Sequence, residues 1–132
     1  MAEKFNPAGL YEPQLLYFNA VRVSAEQETI YSSGIVGFEE DGNLPKDQAL
    51  QIEQAWKNVA AFLTGCGLSA NDLVRLKIHL TDRGLIPISR EARIRNLGEH
   101  MNAAVTGVIV ELFDPDLCIE IDIIAARSGT GH

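Results

Sequence analysis

Leu73-Val74-Arg75-Leu76-Lys77-Ile78-His79-Leu80, broken by Thr81-Asp82-Arg83-Gly84 and followed by a helical stretch from Pro87 to His100, decides the fold class. The octapeptide alternates. Val74, Leu76, Ile78 and Leu80 point one way and Arg75, Lys77 and His79 the other, the period of a strand with one face on a core. Proline at the first turn of the following segment suits a helix start, because its missing N–H would be unsatisfied there anyway.

Working backwards, Lys46 to Thr64 reads as the clearest helix of the chain. Ile52, Trp56, Val59 and Leu63 form one apolar stripe, and Gly65 and Gly67 suit a left-handed C-terminal cap. Ser69-Ala70-Asn71-Asp72 looks like a capped turn, and Glu39-Glu40-Asp41-Gly42-Asn43 is a strong turn signal. Further back, Leu15 to Val23 and Thr29 to Val36 have strand composition and are expected to pair as an antiparallel hairpin. Gly34 inside the second run marks a bulge or a close approach. Residues 1–13 carry turn chemistry around Asn6-Pro7-Ala8-Gly9 and Glu12-Pro13.

Working forwards, Val105 to Phe113 and Cys118 to Ala125 are expected to form a closing hairpin across Asp114-Pro115-Asp116. The order is strand, strand, helix, strand, helix, strand, strand, an α+β fold with two helices on one face of a mixed sheet. The opposite face, with Arg75, Lys77, Glu120 and Asp122 among apolar residues, suits an oligomer contact. One domain is expected over residues 1–126, with a disordered tail over 127–132.

Composition narrows the function classes. The chain has 132 residues and a formal net charge of −7, and its eleven Lys and Arg form no run, which leaves no basic footprint for nucleic acid. No apolar run is long enough to span a bilayer, and the N-terminus has no signal-peptide pattern, so a cytoplasmic location is expected. Cys66 and Cys118 are too few for a disulfide framework. His79, His100 and His132 lack metal-ligand spacing, so neither metal nor cofactor is expected.

Short motifs in a fixed order carry a resemblance. They are Asn6-Pro7-Ala8-Gly9-Leu10, Leu16-Tyr17-Phe18-Asn19-Ala20-Val21, Ser33-Gly34-Ile35-Val36-Gly37, Asp72 to Lys77 with Leu80-Thr81-Asp82, Gly98-Glu99-His100 and Ile119-Glu120-Ile121-Asp122. From about Asn6 to Ala126 the chain resembles the RidA (YjgF) family. The resemblance implies a chorismate-mutase-like subunit and a homotrimer with three intersubunit clefts. In such clefts family members hydrolyse imines and enamines such as 2-aminoacrylate to 2-keto acids and ammonia.

That resemblance places Glu120 as the water-positioning carboxylate and Tyr17, Ser33 and Gly34 as pocket residues. It also implies an arginine whose guanidinium forks onto the substrate carboxylate. Met101-Asn102-Ala103-Ala104-Val105-Thr106-Gly107 lacks it: counted back from Glu120 the position is Val105, and counted forward from Gly98-Glu99-His100 it is Ala104. Thr106 could still donate to an anion. Arg90 could reach the site from the second helix, although Ser89 to Arg95 also reads as a solvated charged face. The resulting expectation is a RidA-like homotrimer binding a small metabolite without the usual arginine. Its alternatives are a hydrolase or deaminase acting on an imine, an enamine or a related carbon–nitrogen substrate, and a non-catalytic sensor or regulator of a partner enzyme.

Overall fold

The computed structural model describes residues 3–6, 8–9, 20–25, 27–99 and 103–127. Its elements are β1 (Glu3–Phe5), β2 (Ala20–Arg22), β3 (Thr29–Tyr31), α1 (Gln48–Gly65), β4 (Leu73–Leu80), α2 (Ile86–Leu97), β5 (Ala104–Ile109) and β6 (Ile119–Ala126). A four-stranded sheet runs in the order β3-β6-β4-β5, and β1 and β2 form a separate antiparallel pair. β4 and β5 are parallel while β6 is antiparallel to both β3 and β4, so the sheet is mixed. Both helices lie on one face. Ile52, Trp56 and Val59 of α1 and Ala92 of α2 share one buried cluster with Leu76 of β4 and Ile121 of β6.

Helix α1 is bounded by its own chemistry. The Asp47 carboxylate accepts from Leu50 N at 3.0 Å, satisfying one of the orphan donors at the start. At the other end Gly67 adopts φ +73°, while Leu68 N donates to Leu63 O at 2.8 Å and Gly67 N to Thr64 O at 3.0 Å. This pair of bonds is a Schellman motif, and Leu63 and Leu68 are both buried as it requires. Beyond it, the Asp72 carboxylate accepts from Ser69 N, so the expected capped turn is present. Helix α2 stops at Leu97 rather than at His100, because Gly98 turns the chain at φ +92°.

The sheet order corrects the closing hairpin and, for its described residues, the first one, of which residues 15–19 lie outside the described residues. Among the described residues β2 pairs with β1 and β3 with β6, and Glu3–Phe5 is a strand where turns were expected. β5 and β6 do not pair, because β4 lies between them and takes both edges. The β4-α2-β5 unit is a parallel crossover, which needs an intervening element of about the length of α2. Alternation on β4 also slips once. A bulge at Val74 sets Leu73 and Arg75 against consecutive residues of β6, so Leu73, not Val74, joins Leu76, Ile78 and Leu80 in the core.

Polar contacts lock the layers. Arg95 Nε and Nη2 donate to Glu53 Oε1 at 3.0 and 2.7 Å, and Asn96 Nδ2 donates to Glu53 Oε2 at 2.8 Å, joining α2 to α1. Burial pushes the Glu53 carboxyl up, but the Asn96 and Arg95 bonds outweigh it and hold the group below its ordinary range. A carboxyl held low stabilises the fold above its unfolded value and loses that contribution as pH falls through the folded one. Arg95→Ala is therefore expected to lower the thermal midpoint slightly at pH 7. The gap should close under acid conditions where Glu53 is protonated, and a gap that persists there would rule out the ion pair as its source.

Arg127 fixes the end of β6. Its Nε donates to Glu28 at 2.7 Å and its Nη2 to Cys66 O at 2.7 Å, placing a cation at the C-terminus of α1 where the helix dipole favours one. Residues 128–132 lie outside the described residues.

Candidate functional site: a carboxylate slot and an arginine-lined cavity

The site residues expected from the sequence fall into two groups on opposite faces of the sheet. On β6, Ile119, Ile121 and Ile123 face the helices, so Glu120 and Asp122 face away from them. Cross-strand register places His79 beside Glu120, Lys77 beside Asp122, and Thr106 beside Lys77, all on that open face. Val105 pairs with Leu76 and points inward, where it packs on the core.

The open-face group is built around Gly34. Ser32 N donates to Ile123 O at 3.0 Å and Ile35 N to Ile121 O at 2.6 Å. Three steps of one strand therefore match two of the other, and the excess is taken up at Ser33 and Gly34. A Cβ added at Gly34 would fall 2.5 Å from Glu120 Cδ, so the bare glycine makes room for the carboxylate. Both readings of Gly34, bulge and close approach, describe what is there. His79 Nδ1 lies 3.0 Å from the Glu120 carbonyl and 3.8 Å from Asp122 Oδ1, which steadies the β6 backbone at this point. Ser33 is exposed beside the slot, while it is Ser32 whose hydroxyl accepts from Ile123 N. Tyr17 lies outside the described residues.

The inward group lines a cavity of about 390 Å³ between α2 and β5. Its walls are largely apolar, with Ile78, Leu80, Val105 and Ile109 from the sheet and Trp56 behind them. Its polar groups come from the α2 side, namely Arg83, Ser89, Arg90 and Arg93. Val105 and Arg90 thus share one cavity, and an arginine at position 105 would point into it, whereas one at position 104 would share the open face with Arg75. Trp56 Nε1 donates to Ser89 Oγ at 3.1 Å within the buried layer.

Arg93 is the residue that the sequence-based expectation passed over. It is only 7% exposed, on a segment read as a solvated charged face, whereas Arg90 and Arg95 are exposed. Burial, and after it the charge of Arg90, pulls the Arg93 guanidinium down to about 10. The signal was present: Arg83, Ile86, Arg90 and Arg93 recur at intervals of three, four and three, one helical stripe, and this stripe faces β5. Among the described residues no cluster of three or more His, Cys, Asp or Glu could hold a metal ion, and no helix is long and apolar enough to cross a membrane.

The family model described as endoribonuclease L-PSP matches residues 12–127. The chain is a member of the RidA/YjgF family. TdcF of Escherichia coli K12, named as a candidate reactive intermediate deaminase, is 28% identical over 89 residues, covering 66% of this chain and 69% of TdcF. RidA from the Antarctic bacterium Psychrobacter sp. PAMC 21119 superposes with a TM-score of 0.68 at 28% identity, over 95% of this chain and 94% of that one. E. coli TdcF, solved with bound serine, superposes with a TM-score of 0.69 at 23% identity, over 96% of this chain and 94% of that one. As a RidA/YjgF chain, the protein has the expected α+β architecture, two helices on a mixed sheet.

Proposed function

We propose that this RidA-family chain assembles as a homotrimer and binds a small anionic metabolite in clefts shared by neighbouring subunits. The α2–β5 cavity of one protomer anchors the anion, and the partner subunit's Glu120 holds water against the reacting carbon. One observation carries this reading: Glu120 and the arginine-lined cavity lie on opposite faces of one sheet. Layers packed on a sheet are about 10 Å apart, whereas reacting groups must meet at about 3–3.5 Å. A single protomer cannot bring the two to one ligand, and two protomers can. β5 is the outer strand next to the cavity, and Ile109 and Val110 at its end are about 40% exposed, as suits an edge covered by another copy.

The chemistry in reach is hydrolysis of a carbon–nitrogen double bond. Water positioned by the carboxylate adds to the imine carbon, a proton passes to nitrogen, and ammonia leaves as the carbonyl forms. Anchoring from α2 instead of from β5 removes the family arginine from position 105 without removing a guanidinium from the cavity. The chain is therefore not a standard 2-imino acid deaminase with one residue deleted; its anion grip has moved.

Light scattering is expected to give three times the protomer mass, and a monomer would sink the shared cleft. Ammonia release is to be followed from 2-aminoacrylate and other imino acids generated in situ. Glu120→Gln is expected to slow turnover by about 10²–10⁴-fold, the usual contribution of a positioned acid–base group, with little change in ligand affinity. Gly34→Ala is expected to reproduce much of that loss, because the added methyl displaces the Glu120 side chain from its Cγ outward. Equal rates for Glu120→Gln and wild type would remove the hydrolytic half of the proposal.

A further inference from the structure

The cavity carries an unusual charge balance. Three guanidiniums line it and no carboxylate does, in a chain whose net charge is −7. Of the four arginines elsewhere, Arg22, Arg95 and Arg127 each have a carboxylate at 2.7 Å, from Glu3, Glu53 and Glu28, and Arg75 lies on the open face of the sheet. Among the described residues neither Arg83 nor Arg90 has a carboxylate within 4.0 Å. The positive charge is also sorted by depth: Arg93 is 7% exposed at the back, and Arg90 and Arg83 are exposed at the mouth. Ser89 is 4% exposed beside Arg93 and accepts from Trp56, which leaves its own hydroxyl proton as a donor towards the cavity.

From this arrangement we infer that the ligand is a dicarboxylate, gripped at its inner end by Arg93 and Ser89 and at its outer end by Arg90 and Arg83. The inference rests on the cleft reading above and names the ligand class for it. The apolar stretch of Ile78, Leu80, Val105 and Ile109 then covers the carbon chain between the two charges. A phosphate has no carbon body to lie against the apolar walls. Burial, and after it the charge of Arg90, depresses Arg93, and a carboxylate beside it favours its charged form.

Calorimetric titration of the assembled protein at neutral pH with glutarate, valerate and inorganic phosphate tests this. Glutarate is expected to bind about tenfold or more tighter than valerate, its five-carbon monocarboxylate counterpart, the scale of one added charge-assisted contact. Phosphate should bind far more weakly than glutarate. Arg90→Gln, a change at an exposed position, should weaken glutarate about tenfold or more and valerate much less, which removes the preference for the diacid. Arg93→Lys should weaken both acids, because an ammonium cannot form the guanidinium fork. Equal binding of glutarate and valerate, phosphate binding as tight as glutarate, or a preference untouched by Arg90→Gln would overturn the dicarboxylate assignment and leave the shared cleft standing. Binding of no carboxylate at all would remove both.

Discussion

Gln51→Leu is expected to destabilise the protein by about 2–5 kcal/mol, although leucine nearly matches the volume lost. Gln51 is 2% exposed on α1 and ties two loops to the helix. Its Nε2 donates to Pro45 O at 3.1 Å and to Asp116 O at 3.2 Å, while its Oε1 accepts from Cys118 N at 2.7 Å. Leucine would leave the Cys118 N–H buried with no acceptor, at about 1–3 kcal/mol, and would release two carbonyls that water can only partly recover. The Asp116–Cys118 loop leads directly into β6, so part of the loss falls on the strand that carries Glu120. A urea titration should show a lower midpoint with an unchanged slope. Loss of less than about 0.5 kcal/mol would mean that water replaces all three contacts, and that the side chain is not a clamp.

Trp56→Ala should cost about 3–5 kcal/mol, the range for removing a fully buried aromatic side chain. Trp56 is 0% exposed, sits where α1 meets α2 and the sheet, and forms the rear wall of the arginine-lined cavity. Its indole N–H also fixes the Ser89 hydroxyl at 3.1 Å. Trp56→Phe separates the two roles: most of the volume stays and the hydrogen bond goes, so about 1 kcal/mol of stability is expected to be lost. In the same variant ligand affinity should fall, since Ser89 is no longer held by its donor. Stability measured by denaturant and affinity by calorimetry check the pair. A Phe variant with unchanged affinity would show that the Ser89 orientation does not matter.

The elements that depend on their own local sequence were legible. The α1 stripe of Ile52, Trp56, Val59 and Leu63, its Gly67 cap and the one-sided burial of β4 are each decided within a few residues, where periodicity and glycine chemistry act directly. Strand pairing was not. Whether β6 pairs with β5 or β4 depends on which edge is open after α2 has crossed over, and no residue in either strand encodes that. The Val74 bulge was hidden for a similar reason, since a one-residue slip is visible only against its partner. In the site, the pairing of Gly34 with Glu120 joined two motifs that the sequence had singled out separately. Arg93 was hidden by its neighbours: among Arg90, Glu91 and Arg95 it reads as surface, and only the direction in which α2 packs makes it the buried member.

The position of β6 sets the order in which this molecule can be made. It is the last strand along the described chain, yet it lies second in the sheet and supplies the partner for both β3 and the inner edge of β4. Thr29 meets Ala126, so this pairing cannot close until Ala126 has left the ribosome. Until then the nascent chain has α1 and the β4-α2-β5 crossover, with one edge of β4 bare and its apolar face only partly covered. Such long-range closure slows folding. Glu120 arrives on that same final strand, so the carboxylate reaches its slot only at the step that completes the fold.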